Sequence, residues 1–158
     1  MIKGVRFPGR YLQGPGCITR IGREIAGLGA RALIVLDGGV FDLLRDTVLG
    51  AGGDAEIRSA GGTGDGRIGT NAVRIMEAIE DLSDCDGILC YCDLGSSVLS
   101  TETAFDMIDE DLAKKTRLVN CPLVEGAFLG VVQAPSAQSV DEIVKVSKDA
   151  VKMQKGDD

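Results

Sequence analysis

Apolar runs bounded by glycine alternate along this chain with stretches of helical periodicity. Ala32–Leu36 (ALIVL), Ala55–Ile57, Ile88–Cys92 (ILCYC) and Leu118–Val119 read as strands. Between the first two, Val40, Leu43, Leu44, Thr47 and Val48 give a short helix face that stops at Gly50. Ala72, Ile75, Met76 and Ile79 repeat at helical spacing, and so do Val98, Phe105, Ile108 and Leu112. A last helix is expected to open at Ser139, whose spacing to Glu142 makes a capping box, and to continue through Ile143, Val144 and Val151. This alternation predicts an α/β fold: a mostly parallel sheet with helices on both faces.

The front of the chain follows a different pattern. Arg10–Gly16 (RYLQGPG) reads as a short strand and turn, and Ile18, Ile21, Ile25 and Leu28 mark a helix after it. The expected division is an appendage over residues 1–30 and a domain over residues 31–154, with the terminal KGDD frayed.

Composition narrows the chemistry. A chain of 158 residues, 44% hydrophobic and 26% charged, suits one ordinary globular domain. No apolar run approaches the roughly 18 residues that span a bilayer, and the first residues have no apolar core of a secretory signal. A net charge of −7 argues against binding a nucleic-acid backbone. Five cysteines, an odd number, fit free thiols in a reducing cytoplasm. No pair has the Cys-x2-Cys spacing and there is no histidine, so no metal site is expected. Cys90 and Cys92 read as small residues on a buried strand.

Two loops carry the candidate chemistry. Gly61–Thr70 (GGTGDGRIGT) holds five glycines in ten residues, as a loop does when its backbone approaches a phosphate. Gly61, Gly62, Thr63, Gly66, Gly69 and Thr70 are its candidate phosphate-contacting positions. Gly64–Gly69 also spells G-x-G-x-x-G, with Asp93 beyond it to take a ribose hydroxyl, so a dinucleotide, another phosphate and a plain turn all remain open. The second loop, Asp93–Ser97, follows a buried strand and leads into a helix. In a parallel sheet both loops should gather at the C-terminal edge. There Ser96 or Ser97 would cap the helix, Gly95 would let the backbone come close, and Asp93 would orient a reacting group.

GGTGDGRIGTNAVRIMEAIE, DGILCYCDLGSSVLSTETAFDMI and RLVNCPLVEGAFLGVVQA, in that order, resemble the phosphotransfer subunit of bacterial phosphoenolpyruvate-dependent dihydroxyacetone kinase over roughly residues 60–150. The resemblance implies the mannose-type IIA fold of the sugar phosphotransferase system, usually dimeric and without a cofactor. It implies phosphate received from the carrier protein HPr and passed to nucleotide on the kinase's ADP-binding subunit. That family carries its phosphate on a histidine just after the first strand, and this chain has none. By register, Asp37 falls where that histidine would be.

The front end, FPGRYLQGPGCITRIGREIAGLGARALIVLD, is similar to the N-terminus of glycerol dehydrogenase as far as about Ser59. In those enzymes an aspartate matching Asp37 contacts the adenosine ribose of NAD. Their later pyrophosphate loop and metal-binding domain have no counterpart here. The chain therefore reads as a chimera of two glycerol-metabolism proteins. It reads as a homologue of the phosphoryl carrier deficient in transfer, with an NAD- or nucleotide-binding module as the alternative.

Overall fold

The structure is a computed structural model that describes residues 31–35, 42–47, 55–65, 67, 69–154 and 156. The expected appendage over residues 1–30 lies outside the described residues.

Four strands, β1 (Arg31–Val35), β2 (Glu56–Ser59), β3 (Gly87–Tyr91) and β4 (Thr116–Val119), form one sheet in the order β2-β1-β3-β4. All three ladders are parallel: Leu33 pairs with both Ile57 and Leu89, and Leu89 pairs with Arg117. β3 is buried at all five positions, as a strand covered on both faces must be. Its side chains alternate between two cores: Ile88 and Cys90 join one, Leu89 and Tyr91 the other.

The first core is roofed by α2 (Ala72–Glu80), α3 (Gly95–Phe105) and α4 (Glu110–Lys115). α2 starts where Asn71 Oδ1 accepts the Val73 amide at 2.9 Å, and it buries Ile75 and Ile79 one turn apart. The second core is roofed by α1 (residues 42–47), α5 (Leu123–Gln133) and α6 (Val140–Asp149). α1 contributes the fully buried Leu44. α5 and α6 pack closely because Gly126 and Gly130 present no side chain. A Cβ on Gly130 would collide with the Tyr91 hydroxyl and lie 2.8 Å from Ser147 Oγ on α6, and one on Gly126 would collide with Cys121 Sγ and lie 3.1 Å from the Ser147 carbonyl oxygen. Across that seam the buried hydroxyls of Tyr91 and Ser147 bond to each other at 2.8 Å.

Three sequence expectations are corrected. The periodicity joining Val98 to Leu112 spans two helices: α3 stops at Phe105, the chain turns through Asp106–Asp109, and α4 begins at Glu110. Glu110 and Asp111 in its first turn and Lys114 and Lys115 in its last match the helix dipole, so α4 has its own start and stop. α5 answers to no predicted helix. Val151 lies beyond α6, exposed in the short 3-10 turn Ala150–Lys152. The Ser139 cap is present, its hydroxyl accepting the Glu142 amide at 3.3 Å. Glu142 reaches past Ser139 to the Gln138 amide at 2.8 Å. Among the described residues no helix is long and apolar enough to cross a membrane.

Candidate functional site

Strand direction brings the two candidate loops to the C-terminal edge of the sheet. β2 and β3 flank β1, so the chain crosses from one side of β1 to the other between them. Ligands of open α/β sheets collect at such a reversal. The loops are joined directly: Thr70 donates to the Ser96 carbonyl at 3.3 Å, and its hydroxyl meets that of Ser100 at 2.9 Å.

The first loop is a closed collar. Gly61 and Thr70 pair as an isolated antiparallel bridge at its neck. Gly62 and Gly64 turn the chain with φ of 78° and 95°, where a side chain would be strained. Gly69 has φ 149°, and a Cβ there would lie 2.9 Å from the Thr63 methyl. Inside the collar the Asp65 carboxylate accepts from the Thr63 hydroxyl and from Arg67, at 3.3 Å from its amide and 2.8 Å from Nε. Arg67 first, then Thr63, hold Asp65 at a pKa of about 2. The Thr63 hydroxyl and the Arg67 donors thus serve the loop's own carboxylate. α2 opens only at Ala72, with Asn71 as its cap, so the glycine motif does not run into the helix as a dinucleotide fingerprint does. Gly66 lies outside the described residues.

The second loop is organised by Ser97, which is fully buried. Its hydroxyl lies 3.0 Å from Asp93 Oδ1 and 2.6 Å from the Leu94 carbonyl, and it accepts the Leu94 amide at 3.1 Å. That amide also donates to Asp93 Oδ1 at 2.8 Å. Neither serine expected to cap the helix does so: the cap position is Leu94, and Ser97, at the third helical position, ties the helix start together by accepting the Leu94 amide. Ser96 is exposed and contributes its carbonyl to Thr70. Gly95 opens α3 with open space around it. One Asp93 oxygen is fixed by the loop, which aims the carboxylate from the sheet edge. Asp37 lies outside the described residues; β1 ends at Val35, paired with Tyr91 two positions before Asp93.

Beside this loop, between β3, β4 and α3, lies an open pocket of about 260 Å³ lined by Cys92, Val98, Glu102, Leu118, Asn120 and Cys121 among others. Burial pushes the Cys92 thiol up, and the Cys121 thiol up to about 11. Both are therefore neutral at physiological pH and offer no ready nucleophile. Among the described residues no cluster of three metal-ligating side chains occurs.

Sequence reasoning did not single out three parts of this arrangement: the Asp65–Arg67 pair, the Thr70–Ser100 link, and Thr101, which is buried and within 3.3 Å of Cys92 Sγ. A signal existed. Ser96, Ser97, Ser100 and Thr101 recur at helical spacing, a hydroxyl stripe on an otherwise apolar face.

The chain matches the family described as PTS system fructose IIA component over residues 39–144. That span begins inside the segment likened by sequence to glycerol dehydrogenase. A phosphoryl donor subunit of PEP-dependent dihydroxyacetone kinase 2 from Listeria innocua is 41% identical over 112 residues, covering 71% of this chain and 78% of that one. The corresponding subunits of Providencia stuartii and Escherichia coli are 51% and 39% identical over 84 and 108 residues. The matched regions span only 18% and 22% of those longer relatives. A crystal structure of a protein of unknown function, EF1359, superposes with a TM-score of 0.70 at 35% identity, covering 83% of this chain and all of that one. The chain belongs to the PTS fructose IIA component family and is homologous to the phosphoryl donor subunits of PEP-dependent dihydroxyacetone kinase.

Proposed function

We propose that this chain is a carrier-fold homologue of the dihydroxyacetone kinase phosphoryl donor subunit that does not itself carry phosphate. One observation carries the reading: a chain homologous to phosphoryl donors contains no histidine at any of its 158 positions. Phosphoryl transfer needs a nucleophile held in line with the donor, together with groups that take up the moving charge. Asp93, fixed by Ser97 and Leu94, serves the first requirement only, as a carboxylate placed to orient a nucleophile; being an anion, it takes up none of the moving charge. Asp37 is the residue proposed to stand at the missing carrier's position. An aspartate can hold phosphate as an acyl phosphate. It is shorter than histidine, and it would repel both Asp93 and an incoming phosphate.

The partners we propose are an HPr-like carrier and the ADP-binding kinase subunit, and the assembly we propose is a cytoplasmic homodimer. Residues 1–38 precede the family match, and the glycerol-dehydrogenase-like part of the proposed chimera is read as far as about Ser59. The test is incubation with phosphoenolpyruvate and the upstream phosphotransferase proteins, followed by intact-mass spectrometry. Unchanged mass is expected. A phosphate adduct that hydroxylamine removes, and that Asp37→Ala lacks, would restore the chain as a carrier. The nucleotide-binding alternative predicts that NAD raises the melting temperature, whereas the carrier-fold reading predicts no shift.

A further inference from the structure

The pocket between β3, β4 and α3 takes no part in the phosphoryl chemistry considered above. A volume of about 260 Å³ accommodates about eight waters, or an organic molecule of about as many heavy atoms. Val98 from α3 and Leu118 from β4 give it apolar walls, and Cys92 adds a neutral thiol that meets the Thr101 hydroxyl at 3.3 Å. Its remaining polar side chains are few. Glu102 lies one helical turn beyond Val98, on the same side of α3, and Asn120 follows the end of β4. Cys92 directly precedes Asp93, so the pocket lies one residue from the second loop of the site.

The charge that the pocket offers is negative. The Glu102 carboxylate has no hydrogen-bond or ion-pair partner among the described residues, and α3 holds no lysine or arginine. The basic side chains of α4 and β4 are engaged elsewhere. Lys114 pairs with Glu110 and Asp111, Lys115 donates to the Ser83 and Cys85 carbonyls, and Arg117 donates to those of Lys114 and Thr116. The charge felt at the Cys92 thiol is that of Asp93; a cation, Lys148 of α6, acts on Cys121 but not on Cys92. An anion in the pocket would meet Glu102 and Asp93. An uncharged molecule would lie against the Glu102 carboxylate without pairing it. We propose that this pocket binds a small primary alkylammonium ion, its stem along Val98 and Leu118 and its ammonium donating to Glu102 and to the Asn120 carboxamide oxygen. Such an ion covers apolar surface with its methylenes while its head stays at the wet rim, so little desolvation opposes the pairing. This binding is independent of whether the chain carries phosphate.

The test titrates the isotopically labelled full chain with n-pentylamine, 1-pentanol and pentanoate at neutral pH and constant ionic strength, and follows amide chemical shifts. Pentylamine should give saturable shifts centred on Val98, Glu102 and Asn120. Its affinity should exceed that of pentanol about tenfold, because only the amine makes a charge-assisted bond. Pentanoate should give no shift there. Glu102→Gln keeps the side chain's shape at an exposed position, and should lower pentylamine to the affinity of pentanol in a chain that otherwise keeps its spectrum. Glu80→Gln, which removes an exposed carboxylate of α2, should leave the affinity for pentylamine unchanged. The proposal is overturned by equal affinity for pentylamine and pentanol, by a preference for pentanoate, or by a Glu102→Gln variant that binds pentylamine as the parent does. Shifts that grow without saturating, that spread over the acidic residues of α2, or that fail to occur with pentylamine overturn it too.

Discussion

Under α2 and α3 the sheet is covered by aliphatic side chains, with Ile75, Ile79, Leu82 and Ile88 all at 1% accessibility or less. Under α5 and α6 it is covered by backbone brought close, with Gly126 and Gly130 against Cys121, Tyr91 and Ser147. The first layer has side chains that can be shortened, and its helix termini carry the loops of the site. The second has almost no room to add an atom, and its polar groups satisfy each other. Chemistry is concentrated on the layer whose hydroxyls at Ser97 and Ser100 are bonded to loop residues, Asp93 and Thr70, rather than to a neighbouring helix.

That contrast can be broken in either direction. Ile79→Ala leaves a void in the aliphatic layer and should lower stability by about 3.5 kcal/mol in denaturant unfolding. A loss under about 1 kcal/mol would mean that this layer is not close-packed. Gly130→Ala adds one methyl to the tight layer and should cost about 3 kcal/mol, because Tyr91 is fully buried and has nowhere to move. A variant as stable as the parent would refute the close approach of α5. Tyr91→Phe leaves the buried Ser147 hydroxyl without its partner and should cost about 1.5 kcal/mol, while hydrogen exchange in the Gly61–Thr70 loop stays unchanged.

Smaller effects belong to the site loops. Thr70→Val removes the link to Ser96 and Ser100, which should cost under about 1 kcal/mol globally and speed amide exchange in both loops. Asp65 gives a pH signature. Its pKa lies at about 2 instead of 3.8, so the collar's added order is fully present above pH 3.8 and is lost as pH falls toward 2. Amide exchange at Thr63 and Arg67 should therefore rise, relative to Asp65→Asn, across that window.

Much of the fold was legible because β3 and its neighbours are unambiguous: an apolar run between Gly87 and Asp93, buried from Ile88 to Tyr91, can hardly be anything but a central strand. The predicted strands fall within two residues of the observed ones, and the meeting of the two loops followed from parallel pairing alone. α5 was not legible. LVEGAFLGVVQ is apolar on nearly every side and holds two glycines, so periodicity finds no face in it and propensity argues against it. The break between α3 and α4 was hidden because Ile108, in the turn, is buried like a helical residue. Within the site, spacing located Asp93 but could not choose between Ser96 and Ser97, since that choice depends on which hydroxyl the first helical turn points inward.

The all-parallel sheet also bears on how this chain reaches its native state. Its ladders join residues 24, 56 and 28 positions apart (Leu33 with Ile57, Leu33 with Leu89, Leu89 with Arg117), so no pair of described strands can form as a local hairpin. The longest closure places β1 against β3, at the middle of the sheet. Until it is made, both cores lack a floor and the most apolar strand has an open edge. Such a chain should fold over milliseconds to seconds rather than microseconds. Its early species should be the ones most prone to associate, and a chaperone or a low synthesis rate would raise the yield of native protein more than added stability would.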